Sequence, residues 1–313
     1  MSMLPPPSHV ASSLPEGANE TLRADNPRIV DLKQRYASLE NASAHSTGWT
    51  DEHISTQIEW PYFRGDNAYI WQLRDANEHD NYQITADYIK SRDRLGLLDK
   101  LTEDGAFGVY QYHTDEPKAV SRDLLDSIME IYFLEDQLGL SKWPNINILD
   151  IGAGYGRLAH RLATAMPDIG QYFCVDAIAE STFLSDYYLN YRQITHKAQV
   201  VALDEVERFF QKNKIDLAIN IHSFSECALA SIEWWIKLIR QNQVKYFMIV
   251  PNCGKNQGQE LTSIESDRTE RHYDHLLTEN NYELVCRQPK FLDPKVQTCG
   301  VSPTYYYLYK LVI

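Results

Sequence analysis

Three glycines at alternate positions follow a short apolar segment that contains one acid. The segment is residues 146–151, the acid is Asp150, and the glycines are Gly152, Gly154 and Gly156. A residue without a Cβ can adopt a positive φ and lets backbone N–H groups approach a ligand closely. The pattern predicts a ligand over this turn, beyond the carboxyl end of a strand. A purely structural turn is the alternative.

A second acid, Asp176, favours a nucleoside ligand over the structural turn. It ends the next apolar run, residues 171–176. An acid one strand–helix–strand unit after the glycines can accept hydrogen bonds from both ribose hydroxyls. The dinucleotide fingerprint G-x-G-x-x-G would need its third glycine where Arg157 stands, so NAD and FAD are disfavoured.

The spacing of Asp150 and the three glycines resembles the first motif of the class I S-adenosylmethionine-dependent methyltransferases. The resemblance implies S-adenosylmethionine as the cofactor, held by the glycine turn and by residues at the neighbouring strand ends. The predicted cofactor-binding residues are Asp150, Gly152, Ala153, Gly154, Gly156, Asp176, Ala177, Asp204 and Ile221. Asp204 either contacts the adenine amine or caps a helix predicted at 204–212.

Methyl transfer to a hydroxyl needs a group that takes the hydroxyl proton as the new bond forms. His222 and Glu226 follow the fourth predicted strand, at the edge where the cofactor is expected. His222 is predicted to be this base, with an ordinary pKa of about 6.5 that makes the rate rise with pH. Glu226 is predicted as an alternative base or a substrate ligand. Otherwise His222 is a hydrogen-bonded structural histidine and Glu226 favours a helix start.

Other polar residues near this edge are candidates for binding the methyl acceptor. They are Ser223, Ser225 and Asn252 at the strand ends, and Tyr110, Arg122 and Asp123 at or before a long helix. A metal-assisted reaction would need two or three clustered carboxylates. The loop after the fifth strand offers none before Glu260, so no metal ion is predicted.

The elements that would position these residues alternate between strands and helices, as in a doubly wound α/β sheet. Strands are predicted at 146–151, 171–176, 199–203, 215–221, 244–250, 282–288 and 304–312. Helices are predicted at 155–166, 179–192, 204–212, 227–241 and 265–280. The last two strands follow one another without a helix, so the sheet should end in an antiparallel hairpin. These features predict the Rossmann-like seven-stranded sheet of class I methyltransferases.

Composition divides the chain into three predicted parts. Residues 1–25 are rich in Pro, Ser and Ala and are predicted to be a disordered tail. Residues 26–143 are predicted to be a mainly helical cap over the site, with Ser121 capping a long amphipathic helix. The aromatic-rich segment 56–74 of this cap either fills a small core or lines a pocket. Residues 144–313 are predicted to form the cofactor-binding domain.

Charge and cysteine content limit the partners. The 313 residues carry a formal net charge of -13 without an evident basic patch, so neither nucleic acid nor an anionic membrane is expected as a partner. There is no run of 18 apolar residues, and the first residues lack the basic and apolar parts of a signal peptide. The 5 cysteines include no CxxC pair and are predicted to be reduced, which favours a cytoplasmic protein.

Six segments together resemble the sugar O-methyltransferase family found in bacterial polyketide and surface-glycan gene clusters. They are EDGAFGVYQY, VSRDLLDSIMEIYFL, ILDIGAGYGRLAHRL, CVDAIAESTFLSDYYL, LAINIHSFSEC and VSPTYYYLYKLV, and the resemblance covers residues 60–313. It implies methyl transfer to a hydroxyl of a deoxysugar or related glycoside. The residues themselves leave open a non-sugar small molecule or a protein as the acceptor, or a binding module without turnover.

Overall fold

The computed structural model describes residues 14–65, 68–70, 72–73, 79–113, 118–254 and 256–312. Its central element is a seven-stranded sheet. The strands are β1 (Ile148–Ile151), β2 (Tyr172–Val175), β3 (Ala198–Val201), β4 (Leu217–Ile221), β5 (Tyr246–Val250), β6 (Tyr282–Pro289) and β7 (Tyr305–Leu311). Their order is β6-β7-β5-β4-β1-β2-β3, and only β7 runs antiparallel to its neighbours. The predicted Rossmann-like α/β fold is confirmed.

The central strands are buried on both faces, which explains their continuous apolar sequences. All residues of β1 and β2 are buried. In the parallel pairing Ile151 lies opposite Val175, so the two strands end at the same level. The glycine turn after β1 and Asp176 after β2 therefore meet at the carboxyl edge of the sheet.

The helices of the described ranges are α1 (Ala18–Thr21), α2 (Pro27–Ala37), α3 (Asp51–Gln57), α4 (His79–Lys90), α5 (Leu97–Lys100), α6 (Arg122–Leu138), α7 (Arg157–Ala165), α8 (Ala179–Tyr191), α9 (Val206–Phe210), α10 (Leu229–Gln241), α11 (Asp274–Glu279) and α12 (Pro294–Cys299). Two short antiparallel ribbons pair Tyr112–His113 with Ala119–Val120 and Thr262–Ile264 with Glu270–His272. Helix α6 begins as predicted, because Ser121 Oγ accepts the N–H of Leu124 at 3.1 Å.

Two elements near the end of the chain differ from the prediction. The helix predicted at 265–280 is shortened to α11, because residues 262–272 form the second ribbon. Helix α12 lies between β6 and β7, so the predicted direct connection is wrong. Asp293 caps α12 and Pro294 occupies its first position, a start signal that the sequence contains. β6 and β7 nevertheless pair as the predicted antiparallel hairpin.

The region before the sheet domain packs directly on it. Ile29 and Tyr36 of α2 belong to the same hydrophobic cluster as Leu149 of β1 and Phe183 of α8. Burial in a shared cluster couples the folding of the two regions, since neither can expose this surface without losing hydrophobic stabilisation. The region 26–143 is therefore continuous with the core of the sheet domain.

Part of the predicted disordered tail is ordered. Residues 18–21 form α1, and both Ala18 and Leu22 are buried in that hydrophobic cluster. Two apolar side chains four residues apart lie on one face of a helical turn, which gives this short segment a surface to bury. The prediction is wrong for residues 14–25, and residues 1–13 lie outside the described ranges. Within those ranges, no helix combines the length and the apolar character needed to cross a membrane.

Candidate active site

A cavity opens at the carboxyl edge of β1, β2 and β4. It is lined by the glycine turn, the ends of β2 and β4, α10 and parts of the N-terminal region. The predicted residues in its wall are Asp150, Gly152, Ala153, Gly154, Asp176, Ala177, Ile221, His222, Ser223 and Glu226. The fold therefore brings most of the predicted cofactor-binding residues together with both predicted catalytic residues.

The three glycines of the turn all adopt positive φ values. These are 75° for Gly152, 57° for Gly154 and 83° for Gly156. Close packing also requires glycine at the first position, because a Cβ on Gly152 would lie 2.1 Å from Ser223 Oγ. A Cβ on Gly156 would lie 2.9 Å from Ser185 Oγ of α8. Gly156 is outside the cavity wall and instead allows the start of α7 to approach α8.

Three N–H groups of the turn bond to the end of β2 or to Asp176 directly after it, contrary to the expectation that they approach a ligand. Those of Gly152 and Ala153 donate to the carbonyl of Val175, at 2.8 and 3.2 Å. That of Gly154 donates to Asp176 Oδ2 at 2.9 Å. Buried N–H groups need acceptors, and the end of β2 supplies them. The glycines thus allow the turn to fold tightly onto β2.

Asp176 lines the cavity beside this turn, with both carboxylate oxygens bound by backbone. Oδ2 accepts from Gly154, and Oδ1 accepts from the N–H of Ile178 at 2.9 Å. Burial raises the pKa of Asp176 to about 7, against the effect of the two N–H donors. A carboxylate oxygen accepts more than one hydrogen bond, so each can also accept one from a ligand hydroxyl.

Asp150 is the second acid of the cavity wall. Its Oδ2 accepts a hydrogen bond from the Tyr172 hydroxyl at 2.7 Å. Burial raises the pKa of Asp150 to about 7, and the Tyr172 hydrogen bond opposes this rise. Both acids next to the turn therefore change charge near neutral pH.

His222 follows β4 directly and has an unusual backbone conformation. Its φ is 68°, and its N–H donates to the carbonyl of Val250 at 2.7 Å. A positive φ is unfavourable for a residue with a Cβ, and such strain is concentrated at functional sites. Burial lowers the pKa of His222 to about 3, helped by the cations Arg122 and Arg157. The imidazole is neutral at working pH, so the expected ionisation near pH 6.5 is wrong.

Glu226 is half-buried in the cavity wall, and both its oxygens accept N–H groups. Oε2 accepts from the indole Nε1 of Trp49 at 2.7 Å, and Oε1 accepts from the side-chain amide of Asn252 at 2.9 Å. Trp49 belongs to the N-terminal region and Asn252 follows β5, so the carboxylate is held from two sides. Helix α10 begins at Leu229, so Glu226 is not part of its first turn.

The two serines of the loop after β4 fix its position. Ser223 Oγ accepts from the side-chain amide of Asn220 at 2.6 Å and lines the cavity. Ser225 Oγ accepts from the backbone N–H of Asn252 at 3.1 Å, behind the wall. These bonds hold the loop that carries His222 and Glu226.

The predicted acceptor-binding residues of the N-terminal region, Tyr110, Arg122 and Asp123, lie behind the cavity wall. Arg122 Nε donates to Asp126 Oδ2 at 3.1 Å, and a terminal guanidinium nitrogen donates to Ser302 Oγ at 2.7 Å. The guanidinium thereby ties the start of α6 to the loop before β7. The charge of Arg122 affects the cavity because it helps to lower the pKa of His222.

Asp123 is fully buried and anchors the glycine turn. Its carboxylate accepts from the hydroxyl of Tyr155, which belongs to that turn, and from Arg64 Nε at 3.3 Å. A buried carboxylate is stable only when it is paired and hydrogen-bonded in this way. Asp123 therefore holds the glycine turn, which lines the cavity, through its hydrogen bond with Tyr155.

Asp204 pairs with Arg35 of α2 instead of lining the cavity. Both carboxylate oxygens accept from the guanidinium, at 2.8 Å each. Helix α9 begins at Val206 without a side-chain cap, so the predicted capping role is wrong. The predicted adenine contact has no geometric support, since Asp204 is outside the wall.

The N-terminal region adds five residues to the cavity wall that are not among the predicted site residues: Ser43, Ser46, Trp49, Tyr69 and Ile70. Tyr69 covers the turn, since a Cβ on Gly154 would lie 3.1 Å from its ring, and its hydroxyl is 3.1 Å from Ser181 Oγ. The aromatic-rich segment both fills core and lines a pocket, because Phe63 is buried and Tyr69 is in the wall. In the described ranges, no group of three or more His, Cys, Asp or Glu side chains could hold a metal ion.

Comparison with known proteins finds similarity among solved structures. No protein-family model matches the sequence, and no curated protein does. A S-adenosylmethionine-dependent methyltransferase from Clostridium acetobutylicum is 14% identical, over 59% of this chain and 90% of that chain, with a TM-score of 0.41. Magnesium protoporphyrin IX methyltransferase from Synechocystis, with bound S-adenosylmethionine, is 12% identical over 61% and 83%, with a TM-score of 0.43. Geranyl diphosphate methyltransferase, in complex with S-adenosylmethionine, is 16% identical over 60% and 86%, with a TM-score of 0.42.

Proposed function

We propose that this protein is a S-adenosylmethionine-dependent O-methyltransferase that acts on a hydroxyl of a sugar or glycoside. The observation that carries the proposal is that one cavity joins the glycine turn and Asp176 to His222 and Glu226. One part of this cavity suits a nucleoside, and the other offers groups that accept hydroxyl hydrogens.

The donor set fits the cofactor. The carboxylate of Asp176 would hold the ribose hydroxyls, and the glycine turn would lie against the methionine part. When bound, S-adenosylmethionine supplies a methyl group activated on a sulfonium, which the acceptor oxygen takes as the C–S bond breaks. The residues of this chain have to align the acceptor and remove its proton.

His222 is the group that accepts this proton in the proposed reaction. Its imidazole is neutral because its pKa is lowered to about 3, so it always has an unprotonated ring nitrogen. Arg122 and Arg157 disfavour the imidazolium that forms, so the proton has to pass on to solvent before the next turnover. Glu226 accepts a hydrogen bond from a further hydroxyl of the acceptor.

The cavity wall supports a sugar as the acceptor. Trp49 provides an apolar ring, and Glu226 beside it provides a carboxylate. Sugars present C–H groups on one face and hydroxyls at the rim, which suits an aromatic ring next to hydrogen-bond acceptors. The net charge of -13 disfavours nucleic acid as the alternative acceptor.

Cofactor affinity is expected to depend on pH through Asp176. Its pKa of about 7 means that the carboxylate, which accepts the ribose hydroxyls, is lost as pH falls from 8 to 6. The dissociation constant of S-adenosylmethionine, measured by calorimetry, should rise by about tenfold over this interval. At saturating cofactor, kcat should stay nearly constant, because the pKa of His222 lies far below this range.

Asp176→Asn is the matched control for this pH dependence. Its affinity should be weak and should change less between pH 6 and pH 8 than that of wild type, because Asp150 is then the only one of the two acids beside the turn that still ionises in this range. A wild-type dissociation constant that is unchanged between the two pH values would contradict the role of Asp176.

Transfer of a radiolabelled methyl group tests the proposed function. The acceptors are nucleotide-sugars, glycosylated lipids, non-sugar alcohols and phenols, and a mixed protein fraction. Label that appears in a sugar acceptor as an alkali-stable ether supports the proposal. Label only in a non-sugar or a protein would replace the sugar assignment, and cofactor binding without transfer to any acceptor would indicate a binding module.

A further inference from the structure

Trp49 and Asn252 fix the carboxylate of Glu226 in one orientation. Each donates one N–H to a different oxygen, at 2.7 and 2.9 Å. A hydrogen bond to an ionised group is roughly twice as strong as one between neutral groups. The carboxylate is therefore oriented before any acceptor binds, which reduces the entropy lost on binding.

The same two contacts leave room for an acceptor. A carboxylate has about four lone-pair positions on its two oxygens. Trp49 occupies one position on Oε2 and Asn252 one on Oε1, so each oxygen retains another. Two oxygens of one carboxylate match the spacing of hydroxyls on adjacent carbons. Two such hydroxyls can each donate to one oxygen of Glu226.

Hydrogen bonds of the N-terminal segment 42–49 place Trp49 next to Glu226. The hydroxyl of Thr47 shares its one hydrogen between the carbonyl oxygens of Glu226 and Ile264, which both lie 3.0 Å from Oγ1. Ser231 Oγ of α10 donates to the carbonyl of Ala42 at 2.8 Å. The segment is thus bound to the loop after β4, to the second ribbon and to α10.

We propose that Glu226 recognises two neighbouring hydroxyls of the acceptor, and that Trp49 is the positioning residue that the N-terminal segment contributes to this recognition. This inference rests on the proposed function and narrows the acceptor to compounds with a vicinal diol. Glu226 then binds substrate and does not act as the base.

The test compares acceptor kinetics in matched variants. Trp49→Phe keeps an aromatic ring and removes the N–H donor. Trp60→Phe is the control, because Trp60 packs near Phe183, outside the cavity wall. The probes are nucleotide-linked 6-deoxyhexoses, which have hydroxyls on C2, C3 and C4, and their 3-deoxy counterparts, in which no two hydroxyls are on adjacent carbons. Trp49→Phe should raise the acceptor KM roughly tenfold, keeping kcat and the cofactor dissociation constant within about threefold of wild type.

Two further measurements separate positioning from general loss of structure. Glu226→Gln keeps the shape of the side chain and loses the charge, so the acceptor KM should rise while kcat is largely kept. In wild type, the 3-deoxy counterpart should show a KM raised at least tenfold, and Glu226→Gln should reduce this difference between the two probes.

The outcomes distinguish this inference from the proposed function. Wild-type turnover with an unchanged acceptor KM in Trp49→Phe would overturn the positioning role. A large loss of kcat in Glu226→Gln with an unchanged KM would make Glu226 the base and overturn the diol assignment. Absence of wild-type methyl transfer to every sugar probe would overturn the proposed function and, with it, this inference.

Discussion

Replacing His222 with alanine is expected to lower kcat by about 10²- to 10⁴-fold, the usual cost of losing a positioned base. The dissociation constant of S-adenosylmethionine should stay near the wild-type value, because the cofactor is assigned to Asp176 and the glycine turn. Steady-state kinetics together with calorimetric titration measure the two quantities separately.

His222→Asn is the matched control for the alanine variant. Asparagine tolerates a positive φ better than alanine, so it preserves the backbone conformation at φ 68° while removing the imidazole. Both variants should lose kcat, and the asparagine variant should unfold at nearly the wild-type temperature. A kcat close to wild type in His222→Asn would show that the imidazole does not accept the proton.

Gly152→Ala is expected to lower the free energy of unfolding by about 2–5 kcal/mol. The new Cβ would lie 2.1 Å from Ser223 Oγ and 2.5 Å from Ser223 Cβ, at a residue whose φ is 75°. Since Ser223 and Glu226 belong to the same loop after β4, this loop and the glycine turn would both shift. Denaturant unfolding of the purified variant measures the loss.

A double variant separates the packing clash from the backbone strain. With Ser223→Gly in the same chain, the next atom met by the Cβ is Asn220 Nδ2 at 3.7 Å, an ordinary contact. Gly152→Ala should therefore be less destabilising in the Ser223→Gly background than in wild type. Gly154→Ala should lower the free energy of unfolding less than Gly152→Ala, because the atom nearest to the new Cβ would belong to the Tyr69 ring, at 3.1 Å. If Gly152→Ala lowers the free energy of unfolding equally in the two backgrounds, the packing argument is contradicted.

Local patterns were sufficient to predict the sheet and the edge that carries the site. Continuous apolar runs marked the buried strands β1 and β2, and their parallel pairing brings Gly152 and Asp176 to one edge. His222 was predicted for the same reason, because it directly follows β4. Each of these predictions depends only on which residues follow the end of a strand. None depends on a contact with a distant segment.

Contacts between distant segments account for the side-chain partners and the pKa value that the sequence does not predict. Asp204 pairs with Arg35, and Glu226 with Trp49, over 169 and 177 residues of chain. No short pattern encodes such partners. The position of Asp204 after a strand therefore suggested a contact with the cofactor, whereas in the fold its carboxylate binds Arg35. The pKa of His222 differs from its predicted value for a similar reason, since burial by the folded chain lowers it most and Arg122, from another part of the sequence, lowers it further.

Calorimetric titration of the wild-type protein with S-adenosylmethionine, alongside an identical titration with NAD, tests the central claim most directly. The account predicts saturable binding of S-adenosylmethionine at one site per chain, no detectable binding of NAD, and an affinity for S-adenosylmethionine lowered by about 10- to 100-fold in Asp176→Ala. Saturable binding of NAD, or an Asp176→Ala variant that binds S-adenosylmethionine as tightly as wild type, would contradict it.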